Sequence, residues 1–550
     1  MKSLFTFGGF LSVIAQWFSA NILALGREMR LSYLPPLMVY VAAGISGLTG
    51  IVGTFYVKEK LGLSAEFLAM LGFWMMLPWA LKMPLGHLVD LMWRWKSVLV
   101  YLGASLIMVS LLIMIGLLGH TAAMAEWASI ETWFVLSALL APVGYVLQDV
   151  VADAMTVEAV PRVDENGQKL DAEKRKLMHV TMQTLGRVAI IGGGVLVSVA
   201  NVFLLRDAGT LPEAEKEAVY LLVYELALVI PIISIMGVIF ASWLKRQERR
   251  RYLAQGHDRQ VVESMLGLHV ETPAVNWWIL GGGLVFTVLS LGVGVSGMPA
   301  GEEIIFAISM AIIVFLMWRL TDALEPEARN VLVGTAFMIF IFRAIPNPGA
   351  GSTWWMIDEL GFDQQFLAVL SLVGAVLTLF GMFIFRRFMA ERSIAYIIVF
   401  LTLAGTALSL PVLGMYYGLH HWTAALTGGV VDARFIALID TALESPLGQI
   451  AMIPMLAWIA NSAPEKLKAT FFAVMASFTN LALSASQLGT KYLNQVYEVK
   501  REVKDAVTGQ ITIPADYSEL GHLLLTVTLI GLVLPLLAIV LVKHSRFRNA

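Results

Sequence analysis

Apolar stretches of roughly 20 residues recur along the chain, each bounded by a short polar or charged run. At about 1.5 Å per helical residue that length matches the hydrocarbon thickness of a bilayer, so the pattern predicts membrane-spanning helices. We place fourteen, at 35–57, 67–88, 97–119, 132–158, 178–204, 218–244, 276–297, 302–320, 330–358, 366–385, 393–417, 433–460, 470–497 and 519–542. The opening segment, 1–34, reads differently. Phe10, Val13, Ile14, Trp17 and Phe18 repeat at helical spacing ahead of Arg27 and Arg30, which predicts an amphipathic helix lying on the cytoplasmic surface; an additional span is the rival reading. A signal peptide fits less well, because Lys2 is the only charge in front and no convincing cleavage site follows.

Lys and Arg set the orientation. Alternate connections are basic: Arg94 and Lys96; Lys174, Arg175 and Lys176; Lys245, Arg246, Arg249, Arg250 and Arg251; Arg386, Arg387 and Arg392; Lys466 and Lys468; then Lys543, Arg546 and Arg548. The connections 120–131 and 418–432 carry no Lys or Arg. The expectation is a multi-pass protein of the inner (plasma) membrane with both termini cytoplasmic. Loop 500–517 is an exception, with Lys500, Arg501 and Lys504 on the wrong side.

The longest basic connection, 245–275, falls after six spans. The expected organisation is therefore an N-terminal six-helix half at 35–244, the loop 245–275, an extra helix pair at 276–329, a C-terminal six-helix half at 330–542 and a tail at 543–550. Two six-helix halves around a midplane cavity are a transporter plan. The extra pair has few internal charges and no obvious chemistry, and is expected to be a peripheral hairpin.

Composition narrows the class. The 550 residues are 58% hydrophobic and 14% charged, with mean hydropathy +0.76. Such a balance excludes a soluble domain. A net charge of −2 gives no reason to expect nucleic acid as a partner; the lipid bilayer is the expected surrounding. The absence of Cys excludes disulfides, thiolate metal sites and cysteine nucleophiles. No Gly-Lys-Ser/Thr phosphate loop occurs, and His420 and His421 stand side by side on a predicted loop without ligand spacing. No enzyme, metal or cofactor is expected.

Charges inside apolar segments carry the remaining information, because each needs a partner or a water-filled cavity. Asp149 and Asp153 lie four residues apart near the end of the fourth span, on one helix face, with Glu158 beyond. The fifth span carries Gln183 and Arg187. Counting from the cytoplasmic end, Arg187 lies about 15 Å deep, level with Asp149, and Gln183 falls level with Asp153. An Asp149–Arg187 ion pair is expected, as a permanent staple or as a switch opened by substrate or proton. Lys82 lies about 12 Å inside the second span. Its options are a substrate contact, a carboxylate partner, or snorkelling to the surface. Gly86, Asp90 and Arg94 sit four apart at the turn after that span; Asp90 is expected to cap a helix and pair with Arg94 as a cytoplasmic latch, with Glu158 nearby.

In the ninth span, Arg343 precedes Pro346, Pro348, Gly349 and Gly351. These residues predict a broken helix whose freed backbone serves a ligand or a bend. Arg343 has the planar fork for a carboxylate, from a ligand or from Asp440. Asp358 and Glu359 are expected at the solvated rim. Asp440 and Glu444 lie one turn apart in the twelfth span and are candidates for carrying a proton, which would make a symporter. Asn480 and Gln487 serve either a ligand edge or helix–helix contact.

These segments resemble the folate–biopterin transporter family of the major facilitator superfamily. The resemblance rests on LPWALKMPLGHLVD around Lys82 and Asp90, YVLQDVVADAMTVE around Asp149 and Asp153, and FRAIPNPGAGSTWWMIDELGF after Arg343. IDTALESPLGQIAMIPML and KATFFAVMASFTN are similar to two further family segments. It runs from about Pro35 to Val542 and leaves out the extra pair. It departs at Met83, which separates Lys82 from Pro84, at Leu91 in the signature loop, and at Lys468, where the family has Glu. The resemblance implies an all-α major facilitator fold and alternating-access transport of folate, a pterin or a related organic anion. A muropeptide-type or other organic-anion permease is the first alternative, since the fourth span and the extra helices are similar to those proteins too. A non-transporting membrane assembly factor of the same fold is the second.

Overall fold

In the computed structural model, Ser19 and residues 24–161, 170–256, 258–259, 262, 274–322, 324–385, 388, 391–448, 450, 468–504 and 511–547 are described. Most of the expected N-terminal amphipathic helix, the arginines at 386–387 and the second half of the twelfth expected span lie outside them.

Long helices follow one another up and down a bundle. They are α1 (Leu31–Lys60), α2 (Ala65–Leu91), α3 (Ser97–Gly119), α4 (Ile130–Ala159), α5 (Ala172–Leu204) and α6 (Glu213–Ala254). Then come α7 (Trp277–Ser296), α8 (Gly301–Thr321), α9 (Pro326–Arg343), α10 (Ala350–Asp358), α11 (Gln364–Ile384) and α12 (Ile394–Tyr416). The last are α13 (Ala433–Glu444), α14 (Lys468–Val496) and α15 (Leu520–Lys543). Among the described residues, 11 helices are long and apolar enough to cross a membrane. The expected fourteen is not reached on that measure: the ninth expected span is broken into α9 and α10, α13 stops at a 3-10 turn over Ser445–Leu447, and α14, long but rich in Ser, Thr, Asn and Gln, is not apolar enough.

Two local departures have clear causes. The basic run after residue 244 is helical, not loop, because it contains neither Gly nor Pro until Gly256, whose φ of +87° lets the chain leave α6. The loop 500–517 holds a short antiparallel hairpin of β1 (Val503–Lys504) and β2 (Ile511–Ile513), continued by a Lys500–Asp516 bridge.

Helix association in a bilayer depends on close packing rather than on burial from water. Gly44 of α1 and Gly193 of α5 show this. A Cβ on Gly44 would stand 2.2 Å from the Ile190 carbonyl oxygen, so no larger residue fits at that crossing. One core joins Val52, Phe55, Ile107, Tyr220 and Val223 of α1, α3 and α6. Another runs from Phe73, Leu77 and Met83 of α2 through Ile279 and Ile305 of the extra pair to Ile339 of α9 and Phe478 of α14. The extra pair therefore packs firmly by one face, while Leu284, Val288 and Leu291 of α7 stay exposed on the other.

Candidate functional site

The charged cluster forms where α1, α2, α4 and α5 meet. Lys82 Nζ lies 2.6 Å from Asp149 Oδ2 and 2.8 Å from Asp153 Oδ2. The four-residue spacing on α4 stacks both carboxylates on one face, so a single ammonium reaches both. Of the three options for Lys82, the structure takes the carboxylate partner. The Tyr40 hydroxyl of α1 donates to Asp153 Oδ1 at 2.6 Å, and Tyr40 is itself buried. Tyr40 was not singled out in the sequence; an aromatic in an apolar span gives no signal until its hydroxyl is seen to face an acid. Arg187 is close enough for its charge to act on Asp149 and on Tyr40. Among the described residues, however, Lys82 is the cation in ion-pair contact with both aspartates, where the depth count set Arg187 level with Asp149. Gln183 Nε2 donates to Thr156 Oγ1 at 3.2 Å, three residues along α4 from the expected Asp153.

Toward the basic end, the expected latch is built from other residues. Asp90 lies near the C-terminal end of α2, so it caps no helix N-terminus, and among the described residues no ion pair joins it to Arg94. The 3-10 turn over Trp93–Trp95 leaves Arg94 exposed and turns Lys96 inward. Lys96 Nζ meets Glu158 Oε1 at 2.6 Å and lies over the Trp93 ring at 4.1 Å. Burial holds the Lys96 ammonium below its ordinary range, and the Glu158 carboxylate partly offsets this. Lys245 Nζ takes the other oxygen of Glu158 at 2.7 Å, tying α6 to α4. Gly86 has open space beside it, and its neighbour His87 accepts at Nε2 from the Asn276 backbone at 2.9 Å.

The helix break follows the sequence, but its use does not. α9 ends at Arg343, where the helix dipole suits a cation, and α10 begins at Ala350 after Gly349 with φ +75°. The freed backbone groups are held by α14. Ser486 Oγ donates to the Ile345 carbonyl at 2.6 Å, the Asn347 N–H donates to Thr490 Oγ1 at 3.0 Å, and Asn494 Nδ2 donates to the Pro348 carbonyl at 3.3 Å. These groups are consequently not open to a ligand. Asn480 Nδ2 donates to the Trp79 carbonyl at 3.3 Å, which makes it a contact between α14 and α2. On α13, Asp440 is buried and its Oδ1 has no hydrogen-bond partner among the described residues. The charge facing it is Glu444 rather than Arg343.

At the end of the bundle away from the basic loops, the first six helices close against α9–α15. Lys58 Nζ meets Asp358 Oδ1 at 2.5 Å, and the Tyr517 hydroxyl donates to Asp358 Oδ2 at 2.5 Å. Asp358 is thus paired and not a solvated rim acid. Burial and the Asp358 carboxylate keep the Tyr517 phenol protonated, far above its ordinary range. Arg501 is 5% exposed; its guanidinium donates to the Val57 carbonyl at 3.0 Å and to the Lys58 carbonyl, and lies over Trp354. Of the three cations in loop 500–517, Arg501 is buried against protein and so does not report a side of the membrane. Gln364 Nε2 donates to the Tyr220 hydroxyl at 2.7 Å, and Gln495 Nε2 to Glu66 Oε1 at 2.6 Å. Just inside this closure lies an apolar cavity of about 280 Å³, lined by Gly53, Thr54, Phe134, Ala350 and Trp354 among others. The charged cluster is separate from it: Lys82 is nine residues from the basic end of α2, about 13 Å along the helix axis.

An up-and-down helical bundle with paired charges at membrane depth and a cavity between its first and last helices is a membrane transporter of the major facilitator fold. A solved peptide transporter POT in complex with sulfate shares that fold, with a TM-score of 0.56 over 94% of each chain at 15% identity. The chain belongs to the BT1 family, whose pattern matches residues 43–549. It is 23% identical over 465 residues to the folate-biopterin transporter of Synechocystis sp. (strain ATCC 27184 / PCC 6803 / Kazusa), covering 83% of this chain and 74% of that one. It is also 24% identical over 178 residues to folate transporter 2 of Plasmodium falciparum (isolate 3D7), covering 31% of this chain and 36% of that one. The chain is a transporter and not an enzyme.

Proposed function

We propose that this protein moves folate, a pterin or a related organic anion across the inner membrane by alternating access, with both termini in the cytoplasm. The observation that carries the reading is the Lys82–Asp149–Asp153 cluster, a cation held by two acids inside a bundle whose curated relatives carry folates. A permanent scaffold has little need of such a group, since buried ion pairs are weak sources of stability. A substrate carboxylate competes with the aspartates for Lys82, and Arg187 and Arg343 supply further positive charge for an anion. Tyr40 positions Asp153 from α1, and Gln183 holds α4 from α5 through Thr156. Gly86, Asp90, Arg94 and Glu158 belong to the cytoplasmic gate, with Glu158 acting through Lys96 and Lys245. The two halves that rock are 35–244 and 330–542, with the pair at 276–329 between them.

Proton coupling fits the same reading. Asp440, buried beside Glu444 with an unpartnered oxygen among the described residues, is the acid we assign to carry the proton. The test is uptake of labelled folate and pterin into cells making the protein, and into proteoliposomes with and without an inward proton gradient. Accumulation above vector controls supports the assignment, and stimulation by the gradient supports coupling. Muropeptide uptake without accumulation of either folate or pterin overturns the substrate.

A further inference from the structure

The extra helix pair grips both sides of a seam. At its loop end, Glu302 and Glu303 open α8, and Lys491 of α14 reaches them at 3.2 and 3.0 Å. The Tyr492 hydroxyl donates to Glu303 Oε1 at 2.5 Å. Those partners belong to the last helices. From the first helices, the Trp74 indole of α2 donates to Glu302 Oε1 at 3.1 Å. The ion pairs are largely shielded, the side chains of Lys491, Glu302 and Glu303 being 11%, 13% and 25% exposed.

Between these contacts, α7 lies on α2 and α8 packs along α14. A Cβ on Gly294 would stand 2.7 Å from the Trp74 ring, and one on Gly283 would stand 2.5 Å from Pro84. Asn276, just before α7, donates its backbone N–H to His87. Glycines at these two positions let α7 lie directly on α2, while α8 packs along α14, so the pair as a whole bridges the seam. Among the described residues, its polar contacts with α14 are at the end of the bundle where the blocks are closed by Lys58–Asp358 and Glu66–Gln495.

Opening that end requires the tips of α2 and α14 to separate. The pair cannot follow both. Trp74 and Lys491 hold the same carboxylate, Glu302, from opposite sides of the seam. A carboxylate shared between two moving bodies is a contact made in one state and lost in the other, and such a contact biases the equilibrium between them.

We propose that the extra helix pair is a state-dependent clamp: Glu302 joins Trp74 of α2 to Lys491 of α14, Glu303 adds Tyr492, and this bridge must break for the end away from the basic loops to open. The clamp is a property of this fold and does not depend on which anion is carried.

The chain has no cysteine, so labels can be placed without removing any. Trp127→Cys and Leu426→Cys put spin labels on exposed residues at the closed end, one on each side of the seam. Distances are then measured by double electron–electron resonance in two backgrounds. One is Glu302→Gln/Glu303→Gln/Lys491→Gln, which leaves no buried charge unpaired. The other is the lipid-facing control Leu284→Ala. The clamp predicts a longer-distance population in the triple variant that the control lacks. In a second arm the bridge is joined on both sides at once, Trp74→Cys to Glu302→Cys and Tyr492→Cys to Glu303→Cys, by a short bifunctional thiosulfonate, and labelled folate uptake is followed before and after reductant. Joining should stop uptake and reductant should restore it. An unchanged distance distribution in the folded triple variant, or full uptake by the joined protein, overturns the clamp.

Discussion

Lys58 and Asp358, 300 residues apart in sequence, form an ion pair at 2.5 Å that ties the end of α1 to the end of α10. Tyr517 adds a hydrogen bond to the same carboxylate, and Arg501 holds the α1 carbonyls beside it. Three separate segments thus converge on one closure. Asp358→Asn removes the charge that holds Lys58, which is itself largely buried. The expected outcome is a several-fold faster maleimide labelling of Thr54→Cys, placed in the cavity lining just inside the closure. Equal labelling rates with and without Asp358→Asn would show that this pair does not gate access.

A second outcome concerns the charged cluster. Breaking a buried pair by removing one partner costs roughly 3–5 kcal/mol, whereas removing both partners is often close to neutral. Lys82→Gln leaves Asp149 and Asp153 facing each other and should lower the yield of folded protein. Lys82→Gln/Asp149→Asn should recover most of it, read as the monodisperse peak in size-exclusion chromatography. Transport should stay absent in the double variant, because the cation that meets the substrate is gone. A folded double variant with normal uptake reduces the cluster to a structural tie.

Arg343 offers a sharper chemical test. Arg343→Lys keeps the charge but loses the planar fork. We expect normal insertion and at least a tenfold loss of folate uptake, a discrimination of about 1.4 kcal/mol. Uptake at the unsubstituted rate removes Arg343 from substrate recognition.

Arg501 gives a prediction about topology. Hydrogen bonds to a charged group contribute about 1.5–3 kcal/mol each, and Arg501 donates to two carbonyls while covering Trp354. Arg501→Gln should lower Tm by several degrees. Orientation should not change, since the residue is buried in protein. Side-specific labelling of cysteines placed at 124 and 427 reads this, and an inverted or mixed pattern would mean that Arg501 had been opposing the basic loops after all.

What the sequence made legible divides by physical scale. Span positions follow from length and hydropathy alone, and the helix break follows from Pro346, Pro348 and Gly349, because these are local properties. Partner choice is not local. The rise-per-residue count set Asp149 level with Arg187, but it carries no information on which helix face each side chain occupies. Lys82 won the contact because α2 brings its ammonium between the two acids on α4. The same blindness hid Tyr40, the inward turn of Lys96, and the grip of Glu302 and Glu303 on Lys491, each of which depends on tertiary approach. The helical stretch beyond residue 244 is legible too: its charge suggests a loop, but it has no Gly or Pro before Gly256 to break the helix.

The stitched break has a mechanical consequence. Proline and glycine breaks invite the idea of a hinge, with the segment below swinging against the segment above. Here Ser486, Thr490 and Asn494 fasten the interrupted backbone to a continuous neighbour at three successive levels. Bending at Pro346 would tear these hydrogen bonds one after another, so α14 splints α9 to α10. The discontinuity is a fastened joint, and a swing at Pro346 carries the cost of three hydrogen bonds.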